Sequence, residues 1–297
     1  MPQAAPAGAQ RLTGWRAGRF LFDVGPFARP LVMGIINVTP DSFSDGGQHI
    51  GLPAALSHAE RLLAEGADIL DIGGESTRPG APPVPLDEER RRVLPVVEAL
   101  AACGACVSVD TRHPALMREA IAAGASIIND VQALTAPGAI EACAAAEVGV
   151  VLMHMQGQPG TMQVAPSYAG EGGVVGEVSR YLRERAQACD AGGITRNRIV
   201  LDPGFGFGKT TEHNLELTRR LDEIVALGYP VLAGWSRKRT LGDLTGRKIA
   251  SERVYASIAA ALACVTRGAR VVRVHDVGAT VDTFRVWRAM ASPFGKA

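Results

Sequence analysis

The stretch LVMGIIN at residues 31–37 is apolar up to its last position, where it ends on Asn37. An apolar run of this length without strict alternation is typical of a parallel strand that is covered on both faces. Seven more runs of the same kind follow, each separated from the next by a longer stretch. They are ADILDIG (67–73), CVSVD (106–110), SIIND (126–130), GVVLMHM (149–155), RIVLD (198–202), PVLAGWS (230–236) and ARVVRVHD (269–276).

The longer stretches between these runs have the character of helices. One of them opens with the acidic residues DEE (87–89), which suit a helix N-terminus because the backbone N–H groups there carry partial positive charge. Glycine stands near the end of several stretches, where a left-handed cap is common. The predicted helices span 53–65, 87–102, 114–123, 138–147, 172–191, 212–227, 251–267 and 279–290.

Eight strand–helix repeats predict an α/β fold of the (β/α)₈ TIM barrel type, which needs about 250 residues. The chain has 297 residues, so it has room for one such barrel. A doubly wound open sheet is the alternative architecture, which the strand count disfavours. We expect a single barrel domain at 11–297, with a short N-terminal extension at 11–29 folded as a hairpin under the barrel. Residues 1–10 are predicted to be a disordered tail.

Composition argues against a nucleic-acid or membrane partner. The formal net charge is +1, so no overall field attracts a polyanion. The longest nearly apolar run, at about 254–265, is too short to cross a bilayer, and the N-terminus lacks the apolar segment of a signal peptide. Five scattered cysteines are interpreted as reduced thiols of a cytoplasmic protein. Cys103 and Cys106 form a C-x-x-C pair, but no second pair follows at zinc-site spacing, which favours a structural role.

Polar residues stand at or near the C-terminal ends of seven predicted strands, which is where a barrel carries its chemistry. A single polar residue at a strand end is more often a loop cap than a catalyst. Seven strands that converge on one mouth predict a site instead. The residues are Asn37; Asp71, with Glu75 to Arg78 beyond it; Asp110; Asn129 and Asp130; Asp202; Ser236, Arg237 and Lys238; and Arg273 and His275.

Five of these residues suit a flat heterocycle. Asp110, Asn129 and Asp202 offer acceptors for an N–H/NH₂ edge such as that of a 2-amino-4-oxo pterin. Lys238 is expected to donate to the ring carbonyl, and Arg273 to stack on the ring.

A second set suits an anion. Asn37, Arg78 and His275 provide donors and one amide oxygen, which fits a diphosphate with Mg²⁺ because this cation takes oxygen ligands and neutralises phosphate charge. We therefore expect the heterocycle to lie deep in the mouth and the anion to lie near its rim.

Two segments and one residue near the mouth have two interpretations each. DPGFGFGKT (202–210) resembles a Walker A loop, but the required first glycine falls at Pro203. We interpret it as a tight loop that aims its aspartate and brings Phe207 near the site. DSFSDGG (41–47) is either a plain linker or a mobile lid, and the lid is preferred. Met153 belongs either to the barrel core or to the wall of the ligand pocket.

Eight motifs resemble those of the dihydropteroate synthases, and they occur in the family's order over about residues 31–290. The first two are close to diagnostic of the family. The motifs are MGIINVTPDSFSDGG (33–47), DIGGESTRPGA (71–81), VDTRHP (109–114), INDV (128–131), MHMQGQPGTMQ (153–163), LDPGFGFGKT (201–210), GWSRK (234–238) and RVHDV (273–277).

The resemblance implies a (β/α)₈ barrel enzyme that is usually a homodimer. Members of the family condense 6-hydroxymethyl-7,8-dihydropterin diphosphate with p-aminobenzoate and release diphosphate. The resemblance also implies inhibition by sulfonamides, which mimic p-aminobenzoate.

Carried over by motif, the family's ligand residues fall on positions of this chain. The implied pterin residues are Asp110, Asn129, Asp202, Lys238 and, packed on the ring, Arg273. The implied diphosphate residues are Asn37, which also reaches Mg²⁺, Arg78 and His275. The p-aminobenzoate pocket is implied to be bordered by Thr77, Arg78 and Ser236, with Phe43 and Pro79 brought in by loops. The catalytic residues are expected to be Arg78, Asp110, Lys238 and His275.

Departures from the family's pattern are small. Arg239-Thr240 stands where a smaller residue and then an apolar one often follow SRK, and Thr211 stands where an apolar residue is common.

Two other functions compete with the synthase. A methyltetrahydrofolate:corrinoid methyltransferase uses a similar barrel but expels no diphosphate, so the intact STRPG, SRK and RVHDV motifs disfavour it. A catalytically silent paralogue should have lost a residue such as Lys238, which is present.

Overall fold

The computed structural model describes four segments of the chain. They are residues 11–38, 51–75, 84–157 and 162–291.

A hairpin precedes the barrel, as predicted. Strands β1 (Gly14–Ala17) and β2 (Phe20–Asp23) pair antiparallel, with Trp15 opposite Phe22. Trp15 is fully buried, and its indole N–H donates to the Arg198 carbonyl at 3.2 Å. The hairpin is therefore anchored to the barrel by a large buried side chain. Residues 1–10, the predicted tail, lie outside the described residues.

Eight parallel strands form the barrel within the described segments. Their spatial order is β8-β7-β6-β5-β4-β3-β10-β9, so neighbours in sequence are neighbours in space. Seven of the eight neighbouring strand pairs form ladders of two to five residue pairs. The strands are β3 (Leu31–Asn37), β4 (Ile69–Gly73), β5 (Val107–Asp110), β6 (Ile127–Asp130), β7 (Gly149–Met153), β8 (Ile199–Asp202), β9 (Leu232–Ala233) and β10 (Val271–Val274).

The barrel closes between β8 and β9 through a short seam. These strands share one parallel bridge, between Leu201 and Val231, in the described part of the chain. The Leu201 N–H donates to the Pro230 carbonyl at 2.9 Å. Proline has no N–H, so it accepts a ladder hydrogen bond without donating one. This closure turns the sheet into a nearly complete ring and excludes the open doubly wound alternative.

Helices follow the strands and cover the outside of the barrel. They match the predicted helices in order, except at two places. Their bounds are α1 (Gly51–Ala64), α2 (Leu86–Ala102), α3 (Pro114–Ala122), α4 (Ala139–Ala144), α5 (Gly173–Ala191), α6 (Thr211–Arg219), α7 (Leu221–Val225), α8 (Arg239–Thr245), α9 (Val254–Thr266) and α10 (Val277–Ala291).

The two departures have local causes. The predicted helix 212–227 is broken at Arg220, whose φ of −111° and ψ of 28° leave the helical region. Helix α8 was not predicted, because Gly242 in its interior is a poor helix former. The structure requires that glycine, since an added Cβ would lie 2.7 Å from both the Arg247 carbonyl and the Arg253 guanidinium.

Side chains alternate between the two faces of the strands and so form two cores. The outer core joins the strands to the helices. The inner core fills the N-terminal half of the barrel and rests on the hairpin. Its members are Trp15, Ala17, Val24, Leu31, Met33, Ile69, Cys106, Ile127, Val151, Val200, Leu232 and Val271.

No single helix in the four described segments is long and apolar enough to cross a membrane. Helix α8 and residues 250–266 reach that length and apolarity only as a pair, which is bent by 77°.

Candidate active site

The C-terminal half of the barrel interior is polar. In a strand, residues two apart share a face, so the position two beyond an inner-core residue also points inward. Those positions carry polar side chains on several strands, where the inner core below them is apolar. The inward polar residues are Asn37, Asp71, Ser108, Asp110, Asn129, Asp202, Arg273 and His275.

The Arg273 guanidinium lies between two carboxylates in this polar half. Its Nε donates to Asp71 at 2.5 Å and its Nη2 donates to Asp110 at 3.0 Å. Asp71 is fully buried and also accepts from the Ser108 hydroxyl at 2.6 Å and from the Asn129 amide at 3.3 Å. Asp71 therefore holds both Arg273 and Asn129 in position.

The pKa of Asp110 is set by two opposing effects. Burial raises the pKa of Asp110 to about 7, and the Arg273 guanidinium offsets part of that rise. The sequence pattern marks Asp71 as a polar residue near a strand end but assigns it no ligand. Its inward register, two residues after the buried Ile69, is the signal that identifies it.

Asp202 and Lys238 form the opposite side of the mouth. The Gly204 N–H donates to the Asp202 carboxylate at 2.7 Å, and burial raises the pKa of Asp202. Burial also lowers the pKa of Lys238 to about 8, against the pull of the Asp202 carboxylate. The Lys238 ammonium donates to the Phe205 carbonyl and lies 4.5 Å from the centre of the Phe207 ring. Phe207 is thus brought to the site, as predicted.

The loop 202–210 is held from within by Lys209. Its buried amino group donates to the carbonyls of Gly204 and Phe207, both at 3.0 Å, and to Nδ1 of His154 at 2.9 Å, and burial lowers the pKa of Lys209 well below its usual range. Burial, with the nearby Lys209 side chain, lowers the pKa of His154 to about 2, so the ring is a neutral acceptor. Gly204 has a φ of +68°, and an added Cβ would lie 1.9 Å from the His154 carbonyl. The loop is a rigid support, and its lysine is not placed as in a phosphate-binding loop.

The rim of the mouth is built around a strained turn. The Ser236 hydroxyl lies 2.9 Å from His275 Nδ1 and accepts from the His275 backbone N–H at 3.1 Å. Arg237 has a φ of +57°, which residues with a Cβ rarely adopt. Its guanidinium forms two hydrogen bonds to Asp276, at 2.6 and 3.1 Å, that hold this conformation. The turn sets the directions in which the chain presents Ser236 and Lys238.

A cavity of about 520 Å³ opens at the rim, between the ends of β3 and β10 and helices α1 and α10. Asn37 and His275 line it, together with two ion pairs, Arg61 with Glu65 and Arg237 with Asp276. The Mg²⁺ ion that the resemblance implies takes oxygen ligands and usually keeps several waters, so few protein ligands are needed. The amide oxygen of Asn37 at the edge of this polar cavity fits such an ion if an anionic substrate brings further oxygens.

The predicted site residues that the structure describes all lie at this end of the barrel. Thr77 and Arg78 fall outside the described residues, as do Phe43, Pro79 and the loop 41–47. Met153 is 3% exposed in inward register, which leaves both of its interpretations open.

Comparison with known proteins identifies the family. The family described as pterin binding enzyme matches residues 33–275. A dihydropteroate synthase from Neisseria meningitidis serogroup B is 55% identical over 282 residues, which cover 93% of this chain and 97% of that protein.

Solved structures agree with this comparison. A Xanthomonas albilineans dihydropteroate synthase with 4-aminobenzoic acid has a TM-score of 0.84 at 53% identity, covering 92% of this chain and 96% of that one. A Burkholderia cenocepacia dihydropteroate synthase with 7,8-dihydropteroate has a TM-score of 0.84 at 50% identity, covering 94% and 96%. The chain therefore belongs to the pterin binding enzymes and, within them, to the dihydropteroate synthases.

Proposed function

We propose that this chain joins 6-hydroxymethyl-7,8-dihydropterin diphosphate to p-aminobenzoate, giving 7,8-dihydropteroate and diphosphate in folate biosynthesis. One observation carries the proposal. Acceptors for a pterin edge point into the barrel from its strands, and a polar cavity lined by Asn37 and His275 opens at the rim. That arrangement matches a substrate that is a heterocycle at one end and a diphosphate at the other.

The pterin is proposed to bind between Asp110, on one side of the mouth, and Asp202, on the opposite side. Asp110, Asn129 and Asp202 would accept from its N–H groups, and Lys238 would donate to the ring carbonyl. The Phe207 ring beside Lys238 supports this assignment, since it supplies an apolar surface at the same point. Arg273 would lie against the ring while Asp71 and Asp110 hold its guanidinium.

The diphosphate is proposed to bind at the rim, on Asn37, Arg78 and His275. The hydrogen-bonded pair of Ser236 and His275 supports this, because it holds the imidazole at the edge of the cavity. Asn37 would hold Mg²⁺, which when bound neutralises part of the diphosphate charge. Thr77, Arg78 and Ser236 would border the p-aminobenzoate pocket.

The reaction is proposed to break the C–O bond at the pterin methylene. His275 and Arg78 would stabilise the departing diphosphate as its charge grows. The carboxylates of Asp110 and Asp202 would favour the positive charge that develops on the electron-rich dihydropterin. The aniline nitrogen would then form the new C–N bond and release a proton, which needs no strong general base. Positioning of the nucleophile beside the methylene supplies much of the remaining acceleration.

We also propose a cytoplasmic homodimer. Helix α9 carries no charged residue and exposes 82% of Tyr255, and Ile249 and Leu244 nearby are 59% and 54% exposed. A group of exposed apolar side chains on one face is typical of an interface. The five cysteines are free thiols, which suits a reducing compartment.

A product assay tests the reaction directly. Purified chain with Mg²⁺, the pterin diphosphate and p-aminobenzoate is expected to release diphosphate and form dihydropteroate, identified by mass. Omission of either substrate should abolish the product, and EDTA should suppress it until Mg²⁺ is restored. Pterin binding without any product would instead favour the silent paralogue.

Removal of a donor at the rim tests the leaving-group role. Arg78→Ala and His275→Ala are each expected to reduce kcat by roughly 10²–10³-fold, the usual cost of losing a donor to a developing anion. The dissociation constant of the pterin diphosphate should change much less. Single-turnover kinetics and equilibrium binding measure the two effects separately. A variant with weaker binding and normal turnover at saturation would contradict the role.

The pH dependence of kcat/KM tests the pterin residues. Asp110 must be ionised to accept, so the rate should rise with pH through about 7, where its pKa lies. Lys238 must be protonated to donate, so the rate should fall as pH passes about 8. Asp110→Asn should remove the acid limb and Lys238→Arg the alkaline limb. A limb that persists unchanged in its variant belongs to another group, such as the substrate phosphate.

Sedimentation measures the proposed dimer. The chain should sediment at about twice its own 31.1 kDa. Tyr255→Glu is expected to shift the mass toward one chain, because it buries a charge in the interface. Met290→Glu, at a residue 81% exposed on α10, is the matched control and should leave the dimer intact. A wild-type monomer at micromolar concentration would refute the proposal.

A further inference from the structure

A second group of ligand-type side chains lies where β4 and β5 lead into helices α2 and α3. Glu75 follows β4, Glu89 lies in the first turn of α2, and His113 directly precedes α3. One nitrogen or oxygen from each residue lies within 4.8 Å of those of the other two. Among the described residues, this is the one such group of three or more His, Cys, Asp or Glu side chains.

The buried member of this group is incompletely hydrogen-bonded. Glu89 is fully buried, and neither of its carboxylate oxygens has a donor in strict hydrogen-bond geometry, although the Thr111 hydroxyl lies close enough to act on the carboxyl group. The Nε2 atom of His113 is also buried without a hydrogen bond, and it lies 3.7 Å from Glu89 Oε2. Buried polar atoms are nearly always paired, and an unpaired carboxylate is especially costly to bury. These facing atoms therefore point to a missing partner.

Glu75 is already oriented toward the same point. Its carboxylate accepts from the Arg112 guanidinium at 3.1 and 3.2 Å and from the Val84 N–H at 3.2 Å. Oε1 accepts two of these hydrogen bonds and Oε2 accepts one, so the contacts orient the group and leave one lone pair on Oε2 for a cation. Gly74 lets the chain pack on Glu89, since an added Cβ would lie 2.9 Å from the Glu89 side chain.

We propose that Glu75, Glu89 and His113 bind one divalent cation of the zinc class. An imidazole nitrogen with carboxylate oxygens suits Zn²⁺, whereas Mg²⁺ prefers oxygen ligands alone. The site is thus distinct in chemistry from the one proposed at Asn37. Bonds of about 2.0–2.2 Å to one ion require the three ligand atoms to move somewhat closer together, and a water completes four-coordination.

The ion would act as a structural tie. It would join the loop after β4 to the start of α2 and to the residue before α3, and it would compensate the buried charge of Glu89. Arg112 would remain as a partner that orients the ligating Glu75, as outer residues commonly do at metal sites. The inference does not depend on the proposed reaction, because it concerns binding of the metal alone.

Titration of the full chain tests the site. Chelator-treated protein in excess Mg²⁺ is titrated with ZnCl₂ in a calorimeter, and Co²⁺ is added separately because its visible absorption strengthens in four-coordinate sites. One equivalent is expected to bind and to raise Tm, since a ligand that prefers the folded chain stabilises it. Glu89→Gln and His113→Ala should each weaken the dissociation constant by at least about tenfold and abolish the rise in Tm.

A third variant controls for binding at other histidines. His213 is the N3 residue of α6 and accepts from the Thr210 N–H, and His213→Gln keeps a side chain that suits this position. It should bind Zn²⁺ as the wild type does. Absence of binding, or equal affinity in wild type, Glu89→Gln and His113→Ala, would overturn the site. The product assay with Mg²⁺ alone reports separately on the proposed reaction, and Tm without metal shows that each variant is folded.

Discussion

Burial of a guanidinium inside the barrel is the constraint on which the mouth depends. Arg273 points into the barrel, where water is limited, and a cation there is stable only with charged partners. Asp71 and Asp110 supply them from two neighbouring strands, and Asp71 in turn fixes Asn129. The two carboxylates differ in role. Asp71 is fully buried and holds its neighbours in position, whereas burial raises the pKa of Asp110 to about 7.

The order of strands and the position of the site could be predicted because both follow from short-range patterns. Buried parallel strands are apolar along their whole length, so their number and order were readable, and polar residues at their ends marked the mouth. Most helices followed from the same alternation of elements. Helix α8 was missed because a glycine that favours a loop locally is required by the close approach of Arg253. Packing, rather than propensity, decides that segment.

The supporting residues of the site were less visible than the residues that face the ligand. Lys209 looked like part of a phosphate loop, and only its burial against the carbonyls of its own loop shows that it is a support. Glu89 looked like an ordinary acidic residue at a helix start, and its full burial appears only when α2 packs against the barrel. Burial and pairing across the barrel are tertiary properties, so single-sequence patterns do not contain them.

We expect the barrel to open locally more readily at the seam between β8 and β9 than at its other strand pairs. Seven strand pairs are held by continuous ladders, whereas this one has a single bridge and a proline that cannot donate. Amide hydrogens along the seam should therefore exchange with solvent deuterium sooner than those of β3 to β7, because local opening begins where the fewest bonds must break. Asp202 ends one side of the seam and Lys238 follows the other. The proposed pterin site thus spans this seam, and a bound ring would connect its two sides and slow their local opening.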